Sequence, residues 1–302
     1  MKNKIRTIIL IGITVIIFYI LFRKISFISV IDVLLKAKWH FLLGIVLFEV
    51  LITLLKSRRW QIILESIGYN LPFKNCLYLT LAAFPFLTIM PSQSGDIVKS
   101  IFLKDKIPVS KTVGTILTEK FFDLLILIMF TFIGLLFFPR KGILIIIVAM
   151  STTLLFIFFI PHRTIIRKKL LGRLIGKKIL SKISNLFLSL KVLLDKKNFL
   201  LKIINYSLVS WLMNLIEISF LFYALNIKIP FIFVLGNIPI AIFVSFIPVT
   251  LGGMGIRDAA IIYLFSDYAS NAQLMGVGLL FSFFRYWLIS IAGLFFLKKV
   301  DY

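Results

Sequence analysis

The sequence contains few of the residues that form disulfides, metal sites and acidic surfaces. Its 302 residues include one cysteine, Cys76, and two histidines, His40 and His162. One cysteine excludes an internal disulfide, and the two distant histidines do not complete a zinc-type ligand set. Acidic residues are also scarce, because 12 Asp and Glu accompany 35 Lys and Arg, for a net charge of +23. We therefore expect no bound metal.

The common motifs of enzymes are missing as well. The chain has no His-Glu-x-x-His motif, no Walker phosphate loop and no nucleophile elbow. The run Gly252-Gly253-Met254-Gly255 is not a dinucleotide fingerprint, because no strand–helix–strand unit surrounds it. Pairs of acidic residues could act as general acids and bases, but no known motif of an activated nucleophile accompanies them. We therefore expect no cofactor, and the residues favour a transporter over an enzyme.

Apolar residues are what the chain has in excess. They make up 60% of the sequence, and the mean hydropathy is +1.05, whereas soluble domains are about 45–50% apolar. This composition predicts an all-α, polytopic integral membrane protein. The basic excess would suggest nucleic acid in a soluble protein. Here the basic residues lie between apolar runs, as in cytoplasmic loops, so we expect no nucleic-acid partner.

Six apolar runs are close to the ~20 residues that a membrane-spanning helix needs. They cover residues 5–22, 39–55, 121–138, 143–160, 203–225 and 274–297. Two further apolar regions, 77–103 and 231–265, are interrupted by proline and glycine. We predict about six spanning helices from the uninterrupted runs.

The two interruptions follow the same pattern. The first is Met90-Pro91-Ser92-Gln93-Ser94-Gly95-Asp96, and the second extends from Ile247-Pro248 through Gly252-Gly253-Met254-Gly255 to Arg257-Asp258. A backbone broken at membrane depth is tolerated only where it is buried in protein or lines a water-filled cavity. Paired breaks in the two halves of a chain indicate a transporter binding site. Two simple proline kinks are the alternative interpretation.

Loop charge predicts the topology. Basic residues cluster before the first run, after the second (Lys56, Arg58, Arg59, Lys74), within 161–202 and at Lys298 and Lys299. If all four clusters are cytoplasmic, the chain must return to the cytoplasmic side at each of them. This is possible only when both interrupted regions are re-entrant hairpins that enter from opposite faces. We therefore predict an inverted arrangement of two broken hairpins in a single domain over residues 1–302. The prediction includes a multi-pass location in the plasma membrane, with both termini cytoplasmic.

Residues 161–202 form a basic segment. Twelve basic residues and one acid, Asp195, lie between Arg163 and Lys202, with leucine and isoleucine at helical spacing. This pattern is typical of an amphipathic helix on an anionic leaflet. A loop that sets topology and a docking site for lipid headgroups both agree with it.

Ionisable residues inside apolar segments are costly to bury and are therefore functional candidates. The candidates for substrate binding are Pro91, Gly95, Asp96, Lys99, Glu119, Asp123, Pro248, Gly252, Gly253, Gly255, Arg257 and Asp258. Secondary candidates are Glu49, Glu217 and Arg285. A helix that resumes after each break directs free N–H groups toward an anion, and Asp96 and Asp258 are placed to cap those helices. We expect Glu217 to pair with Arg285, and Glu119 or Asp123 with Arg257, as functional pairs or as structural clamps.

Three motifs resemble the signature of a known family. They are Pro91-Ser-Gln-Ser-Gly95-Asp96, Thr118-Glu119-Lys120-Phe-Phe-Asp123 and Ile247-Pro248-x-x-x-Gly252-Gly253-x-Gly255-Ile256-Arg257-Asp258. Together they resemble the lysylphosphatidylglycerol synthase transmembrane (flippase-like) family, also called UPF0104, over nearly the whole chain. The third motif is the most specific. Asp96 and Asp258 stand where Glu is usual, and Lys120 where Arg is usual.

The resemblance implies a function in lipid translocation. Members with an added cytosolic aminoacyl-transfer domain make aminoacylated phosphatidylglycerol and move it across the membrane. We expect this chain to lack that domain, so the resemblance implies the translocation of a phospholipid or lipid-linked precursor with an anionic headgroup. The expected partners are anionic phospholipid or polyprenyl phosphate, and a homo-oligomer is left open.

Two other functions remain open from the sequence. Some stand-alone members of the family have been linked to glycosyl transfer, so one alternative is a membrane-embedded glycosyltransferase that uses a polyprenyl-phosphate-linked sugar. In that case the acidic residues would act as bases or metal ligands. The third class is a non-catalytic membrane scaffold.

Overall fold

The described part of the protein is built from helices. The structure is a computed structural model that describes residues 2–90, 94–138, 151, 196–247 and 250–300, and no β-strand occurs in these ranges. Its first half contains α1 (Lys2–Lys24), α2 (Phe27–Leu35), α3 (Trp39–Ser66), α4 (Phe73–Ile89), a 3-10 helix (Ser94–Val98), α5 (Lys99–Phe102) and α6 (Val109–Phe137). Its second half contains α7 (Lys197–Ala224), α8 (Phe231–Ser245), α9 (Ile256–Phe265), α10 (Asn271–Ser282), a π-helix (Phe283–Leu288) and α11 (Ile289–Leu297).

Four of the described helical segments are long and apolar enough to cross a membrane. They are α3, α6, α7 and the stretch Asn271–Leu297, in which α10, the π-helix and α11 are continuous. A fifth candidate is the pair α1–α2, which bends by 86°. These segments confirm the predicted helical membrane protein and contain five of the six predicted runs. The sixth, 143–160, lies outside the described residues except for residue 151, and the basic segment up to residue 195 lies outside them as well.

Helix α3 is longer than the sequence analysis predicted. The expected span ended at residue 55, and the basic residues after it were interpreted as a cytoplasmic loop. The helix instead continues to Ser66, so that Lys56 and Arg59 lie within it and Arg59 is only 2% exposed. The prediction was wrong because it assumed that a cluster of charge ends an apolar helix. Acidic partners from α6 make this buried charge tolerable.

Both interrupted regions fold as helical hairpins. The 3-10 helix returns along α4, and a Cβ atom on Gly95 would overlap the backbone of Phe86 and Leu87. In the second hairpin α9 packs against α8, and Gly253, at φ +77°, lies against Ser245. Glycine is needed at both places because the two arms of each hairpin touch through their backbones. The predicted hairpins are therefore present.

The hairpins enter from opposite ends of the molecule. Helices α3 and α7 are antiparallel neighbours, because the N–H of Lys38 donates to the carbonyl of Ala224 at one end, and the Nζ of Lys196 donates to the carbonyl of Ser66 at the other. Helix α4 follows the end that carries Ser66, whereas α8 follows the end that carries Ala224. The inverted arrangement predicted from loop charge is thus a feature of the fold.

Glycine contacts also fix the position of each hairpin against a spanning segment. Gly134 of α6 and Gly236 of α8 face each other, and a Cβ atom on Gly236 would lie 2.6 Å from the Cα of Gly134. Gly293 of α11 lies against the backbone carbonyl of Leu81 in α4. Small residues allow helices in a membrane to approach this closely. The polar residues of the two hairpins are thereby placed next to α3, α6 and the last span.

Candidate substrate-binding cavity

Arg59 is the centre of the first cluster of buried charge. Its Nη1 donates to the Oδ1 of Asp123 at 2.6 Å, and its Nη2 donates to the Oε1 of Glu119 at 3.2 Å. Two side chains of α7 complete the cluster, since Ser207 accepts from Arg59 and the indole N–H of Trp211 donates to Asp123. The expected pairing of Glu119 or Asp123 with Arg257 is therefore wrong, because α3 supplies a nearer guanidinium.

The first hairpin adds a second set of ion pairs to this cluster. Asp96 lies 3.1 Å from the Nζ of Lys99 and 3.1 Å from the Nζ of Lys120, and Lys99 also lies 3.9 Å from Glu119. The carboxylate of Asp96 therefore faces two ammonium groups, which compensate for its burial. The ammonium of Lys99 also lies over the ring of Trp60, 4.8 Å from its centroid.

The second hairpin forms a separate cluster around Arg257. Asp258 accepts from the N–H of Gly255 at 2.9 Å and so caps α9, as the sequence analysis predicted. The same carboxylate accepts from Arg257 at 2.7 Å, while Ser282 accepts from the same nitrogen, Nη2, at 2.6 Å. The guanidinium lies 4.3 Å from the ring centroid of Phe281. Its Nη1 is buried and has no hydrogen-bond partner among the described residues.

A third cluster joins α3, α7 and the π-helix. Arg285 lies 3.1 Å from Glu49 and 4.0 Å from Glu217, and in both pairs the atom involved is its Nη1. The expected pairing of Glu217 with Arg285 is confirmed, with Glu49 as the nearer partner. A π-helical turn is rare and is often associated with functional sites. Here it carries the only basic residue of the last spanning segment, as that segment is defined by Asn271–Leu297.

Two adjoining cavities separate the three clusters. The first has a volume of about 60 Å³ and the second about 30 Å³, enough for a few water molecules. Both are lined by Lys56, Lys120, Asp123, Arg285 and Tyr286. Arg59, Asp96, Lys99 and Glu119 line only the first, whereas Arg257 and Trp211 line only the second. Among the charged residues that line the second cavity, four are basic and Asp123 alone is acidic.

Lys56 differs from the other basic residues of the cavities. In the part of the chain that the structure describes, no carboxylate lies within 4.0 Å of its ammonium, which faces the Trp211 ring at 5.9 Å from the centroid. Its neighbours along the cavity wall include Arg285 and Lys120. This side of the cavity is therefore short of negative charge, and an anion is the ligand that would complete it.

The structure places five of the twelve candidate substrate-binding residues on the cavity walls and adds some residues that were missed; the five are Asp96, Lys99, Glu119, Asp123 and Arg257. Pro91 and Pro248 lie outside the described residues. Gly252 and Gly253 serve the packing of the hairpin tip rather than line the cavities. Lys56 and Arg59 were not candidates, although the apolar residues after them (Trp60 and Ile62–Leu64) could have indicated that the helix continues. Within the described ranges, no three His, Cys, Asp or Glu side chains form a group suited to a metal ion.

Comparison with known proteins identifies related membrane proteins. A family model described as the lysylphosphatidylglycerol synthase TM region matches residues 7–293. The chain is similar to a UPF0104 membrane protein of Methanocaldococcus jannaschii, at 24% identity over 80% of this chain and 78% of the relative. A second protein of that description from the same organism is 26% identical over 65% of this chain and 87% of its own length. One from Archaeoglobus fulgidus is 24% identical over 82% of both chains.

Proposed function

The chain belongs to the lysylphosphatidylglycerol synthase transmembrane family, and from this premise we propose that it translocates a phospholipid or lipid-linked precursor with an anionic headgroup across the membrane. The observation that carries the proposal is a pair of adjoining polar cavities, one beside each of two hairpins that enter from opposite ends, with more basic than acidic residues in their walls. The headgroup would pass through this centre while the acyl chains stay in the bilayer. The proposal includes the plasma membrane as the location, with both termini in the cytoplasm.

The meeting of the hairpins supports a route from both sides. Neither α4, with 17 residues, nor α8, with 15, is long enough to span a membrane. Each helix therefore ends inside the protein, and the two hairpins together extend from one end of the molecule to the other. In transporters of known type, broken helices of this kind form the substrate site near the middle of the bilayer. A headgroup held between the tips could then be reached from either face by small shifts of one hairpin.

The charge of the cavity wall supports an anionic headgroup. Buried positive charge is costly unless it is paired, and Lys56 has no carboxylate partner in the described structure. Arg257 also keeps one unpartnered buried nitrogen at the second cavity. A phosphate group accepts several charge-assisted hydrogen bonds and suits such donors. Lys120 and Arg285 border the same space, but each already lies in an ion pair with a carboxylate.

The pairing of the acidic residues with basic side chains favours translocation over glycosyl transfer. Glu119 and Asp123, which a transferase would use as bases, both accept hydrogen bonds from Arg59. Asp96 is held between two ammonium groups. A carboxylate that is already neutralised in this way is a weak base. The following experiment therefore distinguishes lipid translocation from glycosyl transfer.

The test is reconstitution of the purified protein in liposomes that contain tail-labelled fluorescent lipids. A reagent that quenches only the outer leaflet reports how fast each lipid changes leaflets. We expect faster exchange for anionic phospholipids or polyprenyl phosphate than for a neutral lipid, relative to protein-free vesicles. Equal rates with and without protein for every lipid would contradict the proposal. Release of sugar from a polyprenyl-phosphate donor, without lipid exchange, would identify the transferase instead.

A further inference from the structure

We propose that Glu49 and Glu217 together hold one proton, and that this proton is bound along with the anionic headgroup, so that lipid movement is linked to proton movement. The proton site follows from the arrangement of three side chains. Its link to lipid movement rests on the proposed function given above. The two parts can be tested separately, because a buried proton can be detected without any lipid.

The geometry brings two carboxylates to one guanidinium nitrogen. The Oε2 atoms of Glu49 and Glu217 both face the Nη1 of Arg285, at 3.1 and 4.0 Å. Glu217 is 0% exposed and Glu49 is 2% exposed. Among the described residues, neither oxygen of Glu217 has a hydrogen-bond partner, and neither does the Oε1 of Glu49. One guanidinium therefore serves two carboxyl groups and leaves three buried oxygen atoms unsatisfied.

A shared proton resolves this arrangement. With both carboxyl groups ionised, the cluster of Glu49, Glu217 and Arg285 carries one excess negative charge that is removed from water. Such a charge is costly, and two neighbouring carboxylates reduce the cost by keeping one proton between them. That proton also supplies a hydrogen-bond donor for the oxygen atoms that lack one.

The elements around Glu217 offer little other compensation. Helix α3 contributes Lys56 besides Glu49, but the ammonium of Lys56 lies more than 4.0 Å from either carboxylate. The charged residues of α6 next to the cavity are engaged elsewhere: Glu119 and Asp123 with Arg59, and Lys120 with Asp96. Helices α8 and α10, which also pack on α7, contain no ionisable side chain. The excess negative charge must therefore be neutralised within the cluster of Glu49, Glu217 and Arg285.

Arg285 connects the proton site to the cavities. Besides facing the two carboxylates, it lines both cavities together with Lys56. An anion bound there competes with Glu49 and Glu217 for the positive charge of these two residues. The carboxyl pair then holds its proton more firmly, and by linkage the proton strengthens anion binding to the same extent. An anionic headgroup and a proton would thus enter and leave together, which keeps the net buried charge constant.

The first experiment detects the proton itself. The infrared spectrum of the purified full-length chain at neutral pH should show the C=O stretch of a buried protonated carboxyl group, which shifts in D₂O. We expect Glu217→Gln to remove this band and Glu49→Gln to remove or shift it. Glu65→Gln, a substitution near the end of α3 at a partly exposed partner of Arg58, should leave it unchanged. A spectrum in which neither Glu217→Gln nor Glu49→Gln changes the band would overturn the proton site.

The second experiment tests the link to lipid movement. Liposomes with the wild-type protein should exchange the anionic lipid several-fold faster with a pH gradient of one direction than with the reverse gradient, whereas Glu217→Gln should respond equally to both. Lipid exchange that ignores the gradient, although the infrared band is present, would overturn the linkage. If the band is present but no lipid moves at any pH, the proton site stands and the proposed function fails. If lipid moves but the band is absent, the proposed function stands and this inference fails.

Discussion

The backbone N–H of Gly252 donates to the carbonyl of Met90 at 3.2 Å. This hydrogen bond joins the tips of the two hairpins, although 162 positions of sequence separate the residues. Gly252 has φ +56°, and a Cβ atom there would lie 3.2 Å from the carbonyl oxygen of Thr88. The two breaks in the apolar pattern are therefore parts of one junction, at which two hairpins from opposite ends satisfy each other's backbone groups.

The neighbouring Gly253 provides a test of the second hairpin. Its φ is +77°, and a Cβ atom would lie 2.6 Å from the Cβ of Ser245. We expect Gly253→Ala to lower the free energy of unfolding by at least about 2 kcal/mol. Alanine is strained in this left-handed conformation, and its methyl group would overlap Ser245. Thermal unfolding in detergent measures this effect. Gly12→Ala is the control, since no atom lies within 4 Å of its Cβ position; equal effects of both would argue against a tight hairpin.

Removal of Arg59 should strongly destabilise the protein. Arg59→Met leaves Asp123 and Glu119 buried without their guanidinium, which costs about 3–5 kcal/mol when one partner of a buried pair is removed. Arg59→Lys should rescue only part of this loss, because an ammonium cannot bridge the two carboxylates in the same planar geometry. The midpoint of thermal unfolding is the measurement. Arg58→Met, at a side chain that is 44% exposed, should have little effect, and a comparable loss there would refute the assignment.

Lys56 should matter for transport rather than for folding. It has no carboxylate partner in the described structure, so Lys56→Met removes unpaired charge and should not lower the unfolding temperature. Loss of a charge-assisted contact to a phosphate is worth about 1.5–3 kcal/mol, so the lipid exchange rate should fall by roughly tenfold or more. Lys111→Met, at an exposed side chain on α6 that contacts Tyr69, is the control. An unchanged exchange rate for Lys56→Met would show that Lys56 does not bind the headgroup.

The crossing of α6 and α8 should not tolerate a methyl group. A Cβ atom on Gly134 would overlap the Cα of Gly236, so Gly134→Ala must push the two helices apart. We expect a loss of about 1–3 kcal/mol, as is typical of overpacking, measured by unfolding in detergent. Gly44→Ala meets only the ring of Phe220, at 3.0 Å, and a side chain can move. A loss at Gly44 as large as that at Gly134 would show that backbone contact is not the cause.

Several features of the fold could be predicted because they depend on local sequence. Long apolar runs identify spanning helices, since the bilayer has a fixed thickness. The two breaks with proline and glycine predicted the hairpins, and Asp258 was predicted to cap α9 because capping requires only a residue three positions from the helix start. Loop charge predicted the inverted arrangement. Each of these inferences needs only neighbouring residues or the bias of a whole loop.

The sequence by itself therefore determined the class of protein, its hairpins and many of the charges that are buried or line the cavities, although not Lys56 and Arg59. Only the tertiary structure decided which charges meet. Arg59, rather than Arg257, pairs with Asp123, and Glu49 joins Glu217 at Arg285. The physical reason is that an ion pair depends on where helices from distant parts of the chain cross. A charged residue can be buried within a helix when another helix supplies a residue of opposite charge. Spacing along one helix carries no information about that partner.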